Sequence, residues 1–474
     1  MCVICTDDIS SLVEYTELEF SCPDITEIPK ELVNLTSLNC HNCRSLTHIP
    51  KEFVNLRELK CGNCPNITTI SKGLVNLASL DCFMCPLLTH IPKELVNLDK
   101  LMLNDCPKIP EIPIELIKLK TLNCYDCPNI KKIPKELVNL EILNCRGSKI
   151  TEIPKELIKL KTLVCYTCNI IKIPKELVNL RKLELRCCPK ITEIPKEFVN
   201  LKILNCPGCP NITEIPKEFV NLKILDCSRC INIKEIPKEF VNLQELNCNN
   251  CPLLTHIPIE LVNLEILGCY ECINIKEIPK KLIKLQRLAC RDCPSLTHIS
   301  NELVNLTQLY CSFCPNLIEI PKELTNLKHL LCYGCTLLTR IPKEFVNLRE
   351  LCVSKCPNIT HIPKELVNLT SLNCSDNPLL IYIPKELVKL SYLSCDNCPN
   401  LIDVPRHLIY YETVIDYKLE NMIKENYQRY RKQQCSILIN TILEELIQRT
   451  WEPVRAMEWC WDEEEKKFMS NILN

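Results

Sequence analysis

This chain of 474 residues has few glycines, few aromatic side chains and almost no net charge. It holds six glycines and 5% aromatic residues, and 57 basic residues balance 58 acidic ones to a formal net charge of −1. A balanced charge favours neither a nucleic acid nor an anionic membrane surface as partner. The start, MCVICTDDISSLVEY, lacks the basic and apolar segments of a signal peptide, and no apolar run reaches the roughly 18 residues of a transmembrane helix. The sequence therefore predicts no nucleic-acid partner and no membrane partner.

Catalytic patterns are also missing from the sequence. It shows no Ser/His/Asp set, no phosphate-binding loop and no paired carboxylates. These are the usual sources of nucleophilic, phosphoryl-transfer and acid–base chemistry. We therefore predict a protein that is not an enzyme, with no catalytic residues and no cofactor.

One repeated phrase dominates the chain: L-x-x-L-x-C-x-x-C-P-x-[IL]-[TK]-x-I-P-K-E-[LF]-V-N. It starts at eighteen leucines, from Leu35 to Leu390, with fifteen intervals of 21 residues and two of 20. A fixed period of this length is typical of a solenoid, in which each unit buries its apolar edge only against its neighbours. A degenerate nineteenth unit comes first, with inward places predicted for Tyr15, Leu18, Phe20 and Ile25. Each unit is called a coil below, and its positions are numbered from its first leucine.

The positions within a coil predict the fold. Positions 1, 4 and 6 should point inward from a short parallel strand, position 9 should follow inward at the strand's end, and positions 12 and 15 should close the core. Proline at position 16 suits the first residue of a helical turn, so the phrase I-P-K-E-L-V-N predicts a short 3₁₀ or α turn on a convex side. The expected fold class is an α/β repeat solenoid, a curved array with a parallel inner sheet.

The periodicity also predicts the domain organisation. Residues 1–14 are expected to form an N-terminal cap segment, and residues 15–409 the repeats. The period stops after Val404-Pro405, and residues 410–474 are predicted to be a helical C-terminal cap that covers the last coil. Two amphipathic helical patterns support this cap, one at Val414, Leu419, Met422, Ile423 and Tyr427, the other at Ile439, Ile442, Leu443, Leu446 and Ile447.

Cysteine is unusually frequent, with 38 residues, most of them at positions 6 and 9. Thirteen coils carry both as C-x-x-C, and successive pairs are 17 residues apart, a spacing typical of zinc sites. Packing is the alternative, because free cysteine behaves as a small hydrophobe. Single coils replace these cysteines with Leu103, Leu185, Val353, Ser148 or Asn377 without disturbing the period. We therefore predict that the cysteines form core and bind no metal, and retain a thiol-rich metal-binding or redox protein as the alternative function.

Two phrases carry a resemblance to known families. I-P-x-x-L-x-x-L-x-x-L resembles plant-type and Ras-group intracellular leucine-rich repeat proteins over the repeat region. The heavy use of Ile, Asn, Lys and Cys, together with the tail W-x-P-x-R-x-x-x-W-C-x-D-E, is similar to leucine-rich repeat proteins of giant DNA viruses of amoebae, the mimivirus group. The resemblance implies a viral, intracellular leucine-rich repeat protein. Its expected location is cytoplasmic, in the host cell cytoplasm if it is viral.

The coils have nearly the same residues in the turn phrase, but different residues at the outward positions of the inner sheet. Positions 5 and 7 should project from the concave face, and they mix aromatic, Arg, Asn and small residues, of which the aromatic and Arg types are enriched in protein interfaces. Drift at unconstrained positions would produce similar variation. We predict a non-enzymatic protein-binding scaffold that engages an unidentified protein partner, with a host protein as one candidate. The predicted binding residues share position 7: Phe83, Tyr125, Arg146, Tyr166, Arg186, Tyr270, Arg291 and Tyr333.

Overall fold

The computed structural model describes residues 13–405, together with residues 425, 426, 428, 429 and 432. Two compact units make up the chain, Met1–Leu337 and Leu338–Asn474. Each described coil contributes one three-residue strand. Among the described residues no helix is long and apolar enough to cross a membrane.

The strands follow one another at the period of the sequence. In the first unit they are β1 Glu17–Glu19, β2 Ser37–Asn39, β3 Glu58–Lys60, β4 Ser79–Asp81, β5 Lys100–Met102, β6 Thr121–Asn123, β7 Ile142–Asn144, β8 Thr162–Val164, β9 Lys182–Glu184, β10 Ile203–Asn205, β11 Ile224–Asp226, β12 Glu245–Asn247, β13 Ile266–Gly268, β14 Arg287–Ala289, β15 Gln308–Tyr310 and β16 His329–Leu331. In the second unit they are β17 Glu350–Cys352, β18 Ser371–Asn373 and β19 Tyr392–Ser394.

Neighbouring strands within each unit are parallel and in register. Leu38 of β2 lies opposite Leu59 of β3, and Leu351 of β17 lies opposite Leu372 of β18, so equivalent positions face each other. Each central leucine is buried while the flanking strand residues are partly or fully exposed, with the exception of Glu184. The alternation of side chains in a strand thus separates a core side from an outward side. The predicted parallel solenoid is confirmed.

The core consists of the predicted inward positions. Leu35, Leu38, Cys40, Cys43 and Leu46 are all fully buried, and the same pattern recurs in the following coils. Position 19, Leu or Phe in nearly every coil, is buried as well and was not identified from the sequence. Tyr15 is 46% exposed, so its predicted inward placement is wrong. Leu18, Phe20 and Ile25 of the same degenerate coil are buried as predicted.

The turn side of the coils is not helical, and the predicted 3₁₀ or α turns are wrong for the described coils. In a representative coil the N–H of Phe53 donates to Pro50 and that of Leu56 donates to Phe53, which makes two separate β-turns. Between them the N–H of Val54 donates to Glu52 instead of continuing the pattern. A 3₁₀ helix needs consecutive bonds of the i+3 kind, and this intervening bond prevents it.

Asparagine side chains join successive turns. The amide of Asn55 donates to the carbonyl of Val33, and the amide of Asn76 donates to that of Val54, each one coil earlier. Where the coil ends in Lys instead, Lys118 reaches the side-chain oxygen of Asn97 at 2.7 Å. A second series starts at position 11, where Asn66 donates to Arg44. Asparagine is therefore common in this repeat because it satisfies backbone carbonyls at the coil edges.

The predicted terminal segments lie mostly outside the described residues. Nearly all of the N-terminal segment, residues 1–12, is outside them, as are residues 406–424 and most of the rest of the tail. Five tail positions between 425 and 432 are described as helical, which does not amount to a helical cap, so that prediction is not supported. The Asn426 side chain nevertheless donates to the carbonyls of Cys398 and Leu401 in the last coil, both at 3.1 Å.

Candidate binding surface on the parallel sheet

The candidate site is the outward face of the sheet in the first unit, formed by the side chains at positions 3, 5 and 7 of each coil. We call it the sheet face. All eight predicted binding residues lie on it, two residues beyond the ends of their strands, and all are at least partly exposed. The structure brings six of them into three contact clusters and leaves Arg186 and Tyr270 outside those clusters. Their role in binding remains a prediction.

Arg146 lies between two tyrosine rings. Its guanidinium carbon is 4.8 Å from the ring centre of Tyr125 and 5.4 Å from that of Tyr166, which belong to the preceding and the following coil. Cation–π contacts of this kind contribute about 0.5–1 kcal/mol at exposed sites. Among the described residues the Arg146 guanidinium forms no ion pair, so its N–H groups are available to other acceptors.

Glu184, in the coil that follows Tyr166, anchors this cluster through the Tyr166 hydroxyl. It is 8% exposed and accepts a short hydrogen bond from the Tyr166 hydroxyl, while Lys182 pairs with it at 2.8 Å and Asn205 donates to it at 3.3 Å. Burial alone would raise the pKa of Glu184, but the hydrogen bonds from Lys182 and Tyr166 outweigh burial and leave that pKa lowered. Burial and the bond to the Glu184 carboxylate raise the pKa of Tyr166 to about 12. Tyr166 is therefore fixed in place as a neutral phenol.

Phe83 meets His41 across a glycine. The two rings are tilted at 50°, with centres 5.3 Å apart, although they stand two coils from each other. Gly62 occupies position 7 of the intervening coil, and a Cβ there would collide with the Phe83 ring. The absence of a side chain at Gly62 is therefore what allows an aromatic pair to span three coils.

A third cluster contains Arg291, Phe313 and Tyr333. The Arg291 guanidinium lies 5.2 Å from the Phe313 ring centre, and Phe313 meets Tyr333 edge to face at 4.8 Å. The Nε of Arg291 also donates to Asp292 at 2.8 Å. Phe313 is a position-8 residue and was not among the residues predicted from the sequence.

Arg186 and Tyr270 stand apart from these clusters. Arg186 is exposed one coil beyond Tyr166. The Tyr270 backbone N–H donates at 2.9 Å to the side-chain oxygen of Asn249, a residue buried in the preceding coil. These two positions extend the sheet face on the far side of the Arg146 cluster.

Position 8 has a left-handed backbone throughout the array, with φ between 51° and 71°. Asn, Asp and Gly tolerate this conformation, and they fill most of these positions. Met84, Arg229 and Phe313 occupy it as well, at φ of 52°, 59° and 56°. Such side chains cost roughly 1–2 kcal/mol in this region relative to a right-handed backbone. A bulky residue at a position where most coils have Asn, Asp or Gly is the sequence signal that could have identified Phe313.

The position-9 cysteines hold the coils together with sulfur hydrogen bonds. The thiol of Cys64 donates to the carbonyl of Cys40 at 3.2 Å, and that of Cys209 to the carbonyl of Leu185 at 2.7 Å. The cysteines at positions 6 and 9, which we call the cysteine ladder, are buried, so the prediction that these cysteines form core is confirmed. Among the described residues, no group of three or more His, Cys, Asp or Glu side chains could hold a metal ion.

Burial raises the pKa of several ladder thiols, although hydrogen bonds from neighbouring thiols lower the pKa of others, including Cys168 and Cys230. It raises the pKa of Cys124 well above its ordinary value, and it raises the pKa of Cys188 and of Cys209 to about 12. The thiolate is the form that binds metals and attacks disulfides. Within the described residues, Cys187 is the one cysteine with an exposed side chain.

Comparison with known proteins identifies the architecture. The model of the Leucine Rich Repeat family matches residues 242–264, close to one coil. The structure is similar to a leucine-rich repeat protein of Leptospira interrogans, with 21% identity and a TM-score of 0.52 over 81% of this chain and 97% of that one. It is also similar to the functional domain of InlJ from Listeria monocytogenes, which includes a cysteine ladder, with 22% identity and a TM-score of 0.53 over 76% of this chain and 73% of that one.

A search of curated proteins found no match. The similarities to solved structures, together with the repeat pattern, show that the chain is a cysteine-rich leucine-rich repeat solenoid. At identities near one fifth they show the fold, and the chemistry of the sheet face has to come from its own residues.

Proposed function

We propose that this chain is a non-enzymatic protein-binding scaffold that engages its partner through the sheet face. The observation that carries the proposal is the Tyr125–Arg146–Tyr166 cluster on its Glu184 anchor. Tyr and Arg dominate the energetics of protein interfaces when a partner removes them from water. Side chains already held in one arrangement lose less conformational entropy on binding.

The contrast between the two sides of the coil supports this choice of surface. The turn phrase I-P-K-E-[LF]-V-N repeats nearly unchanged, and its Lys and Glu side chains are mostly exposed. Isolated exposed charges contribute little to binding or stability. The sheet face instead carries different side chains in each coil, arranged in clusters that a partner could recognise individually.

The proposal places the protein in the cytoplasm, and a host protein is the partner that the viral resemblance suggests. A reducing compartment suits a chain with 38 cysteines, because thiols persist there. The alternative of a metal or redox thiol store has less support, since the ladder thiols are buried and engaged with backbone carbonyls. Elemental analysis of anaerobically purified protein would support the alternative if it found stoichiometric zinc or iron.

The test compares two double variants of the full chain as bait in affinity capture from a host lysate. Tyr166→Ala with Arg186→Ala alters the sheet face, and Lys175→Ala with Glu176→Ala alters the turn side of the coil that contains Tyr166. We expect the captured protein to bind the first variant at least tenfold more weakly, which is about 1.4 kcal/mol. The second variant should change the affinity less than about twofold, as expected for exposed charges. The reverse ranking would move the site to the turn side and refute the proposal.

A further inference from the structure

Basic side chains on the sheet side of the coils are concentrated in five consecutive coils, those that start at Leu140, Leu160, Leu180, Leu201 and Leu222. Positions 2–8 of these coils carry eight basic and three acidic residues. The five coils before them carry four basic and five acidic residues at the same positions, and the five after them carry three and four. We call the eight the basic band: Arg146, Lys161, Arg181, Lys182, Arg186, Lys202, Lys223 and Arg229. The near-neutral charge of the whole chain conceals this local excess.

Most of the basic band forms no ion pair among the described residues. Lys161 pairs with Glu141 at 2.6 Å, and Lys182 pairs with Glu184 at 2.8 Å. Among the described side chains, no ion pair forms with the other basic residues of these coils: Arg146, Arg181, Arg186, Lys202, Lys223 and Arg229. All six are exposed.

Position 2 places like charges side by side. The N–H of Arg181 donates to the carbonyl of Lys161, that of Lys202 to Arg181, and that of Lys223 to Lys202, each at 2.8 Å. Four basic residues therefore occupy adjacent coils of the array, whose neighbouring backbones lie about 4.8 Å apart. Like charges opposite each other in a sheet are destabilising. A bound anionic group would remove that repulsion.

We propose that the basic band is the docking surface for an acidic segment of the partner protein, a stretch rich in Asp and Glu. This inference rests on the proposed function and adds the chemistry of the partner. Arginine guanidinium groups bind carboxylates through two parallel hydrogen bonds, and Arg146 is already held between two tyrosine rings without an ion pair among the described residues. Complementary charge also speeds the encounter of the two proteins.

Apolar side chains within the band favour a protein segment over a nucleic acid. Position 3 of the same coils presents Ile142, which is exposed, and Ile203 and Ile224, which are partly exposed. In the coils of Ile203 and Ile224 the preceding residue, at position 2, is Lys202 or Lys223. A nucleic acid bound through its backbone phosphates would not bury these aliphatic side chains, whereas an acidic peptide with interspersed leucines can cover them.

The test uses a fluorescein-labelled twelve-residue peptide of repeated Glu-Glu-Leu, titrated with the full chain and followed by fluorescence anisotropy. The Gln-Gln-Leu peptide and a twelve-nucleotide oligothymidylate are measured in parallel, at about 50 and about 200 mM salt, between which exposed charges become more strongly screened. Arg181→Glu, Lys202→Glu and Lys223→Glu are combined in one variant. The matched control combines Lys196→Glu, Lys217→Glu and Lys238→Glu, exposed lysines on the turn side of the same three coils.

We expect the acidic peptide to bind the unmodified chain and the control, and to bind the sheet-side variant at least about tenfold more weakly, or about 1.4 kcal/mol. The Gln-Gln-Leu peptide should bind at least tenfold more weakly than the acidic one. Equal losses in both triple variants, no binding of the acidic peptide, or tighter binding of oligothymidylate with the same residue dependence would each overturn the inference. A parallel variant with glutamine at the three sheet-side positions repeats the measurement should the glutamate variant fail to fold.

Failure of this inference is distinguishable from failure of the proposed function. A partner that loses affinity on Tyr166→Ala with Arg186→Ala but tolerates the triple glutamate variant would leave the sheet face as the binding surface. Only the proposal that the partner docks an acidic segment on the basic band would then be wrong.

Discussion

The side-chain amide of Asn377 donates to the carbonyl of Val353, one coil earlier, at 2.9 Å. Its side-chain oxygen also accepts the N–H of Cys356, again at 2.9 Å. Asn377 stands at position 9, where most coils have cysteine, and the Cys230 thiol makes the equivalent bond to the carbonyl of Cys206 at 3.1 Å. Cysteine therefore takes over the donor role of asparagine in this repeat, with a weaker donor in a smaller, more apolar side chain.

Replacement of Cys230 should distinguish this donor role from simple packing. Cys230→Asn keeps a donor, and we expect it to stay within about 1 kcal/mol of the unmodified chain, as volume-conserving changes often do. Cys230→Val removes the donor from the Cys206 carbonyl, which should cost roughly 1–3 kcal/mol. Denaturant unfolding of both variants is the measurement. Equal stability of the two would show that the sulfur hydrogen bond contributes nothing.

Position 6 should behave differently, because Val353 and two leucines already occupy it in other coils. Cys227→Val is expected to cost less than about 1.5 kcal/mol. Cys227→Asp should cost well over 2 kcal/mol by burying an unpaired charge in a fully buried place. Thermal unfolding compares the two, and similar melting temperatures would contradict the inward placement.

The left-handed backbone at position 8 predicts a reciprocal pair of effects. Met84 has φ of 52° and is 47% exposed, so Met84→Asn should stabilise the chain by roughly 1 kcal/mol. Asn63→Met, one coil earlier at φ of 55°, should destabilise it by a similar amount, with a small addition from the lost Asn63–Asn42 hydrogen bond. Chemical denaturation measures both. A destabilising Met84→Asn would indicate that apolar contacts of Met84 outweigh its backbone strain.

Asn426 should contribute to the stability of the last coil. It is 5% exposed and donates to two carbonyls, so Asn426→Ala leaves both acceptors without this donor, at a cost of roughly 1–3 kcal/mol. Gln428→Ala, at an exposed neighbouring position, serves as the control and should have little effect. Hydrogen exchange at the amides of residues 390–405 should accelerate in the first variant alone. Unchanged exchange would mean that the tail does not stabilise this end.

Glu184 and Tyr166 should make stability depend on pH at both extremes. The lowered pKa of Glu184 contributes stability that is present above its unfolded pKa of about 4.3 and is lost as the pH falls through its folded value. The raised pKa of Tyr166 contributes stability that is complete below about pH 10 and is lost as the pH rises towards about 12. Glu184→Gln should flatten the acid side of a stability–pH curve, and Tyr166→Phe the alkaline side. Curves that superimpose on the unmodified protein would refute the pairing.

The sequence predicted the fold in detail at the positions that recur in every coil, because repeated positions have the same placement in the structure. A side chain that must face the core at one position must do so in every copy, so the period identified the buried Leu, Cys and Ile places. The same reasoning failed for the turn phrase. Ile-Pro-Lys-Glu resembles the start of a helix, but the N–H of Val54 bonds to Glu52 in the finished coil. Local preference was overridden by how each coil must close onto the next.

The sequence predicted which residues lie on the candidate binding surface, but not which of their side chains contact each other. Position 7 was correctly recognised as outward, because alternation along a strand determines the side on which a residue projects. Phe313 was missed because position 8 has a left-handed backbone, a conformation that the alternation of extended residues does not cover. Glu184 stands at the variable position 5, but the sequence alone does not show that it anchors Tyr166 of the preceding coil.

By itself the sequence determined the period, the parallel in-register strands, the cysteine core and the outward face, because each depends on a pattern repeated at a fixed interval. Tertiary structure decided which outward residues meet. Arg146 lies between Tyr125 and Tyr166 because equivalent positions in successive coils are brought side by side, and Phe83 reaches His41 because Gly62 leaves the intervening place empty. Such contacts depend on side-chain size and direction in three neighbouring coils at once, and no single period contains that information.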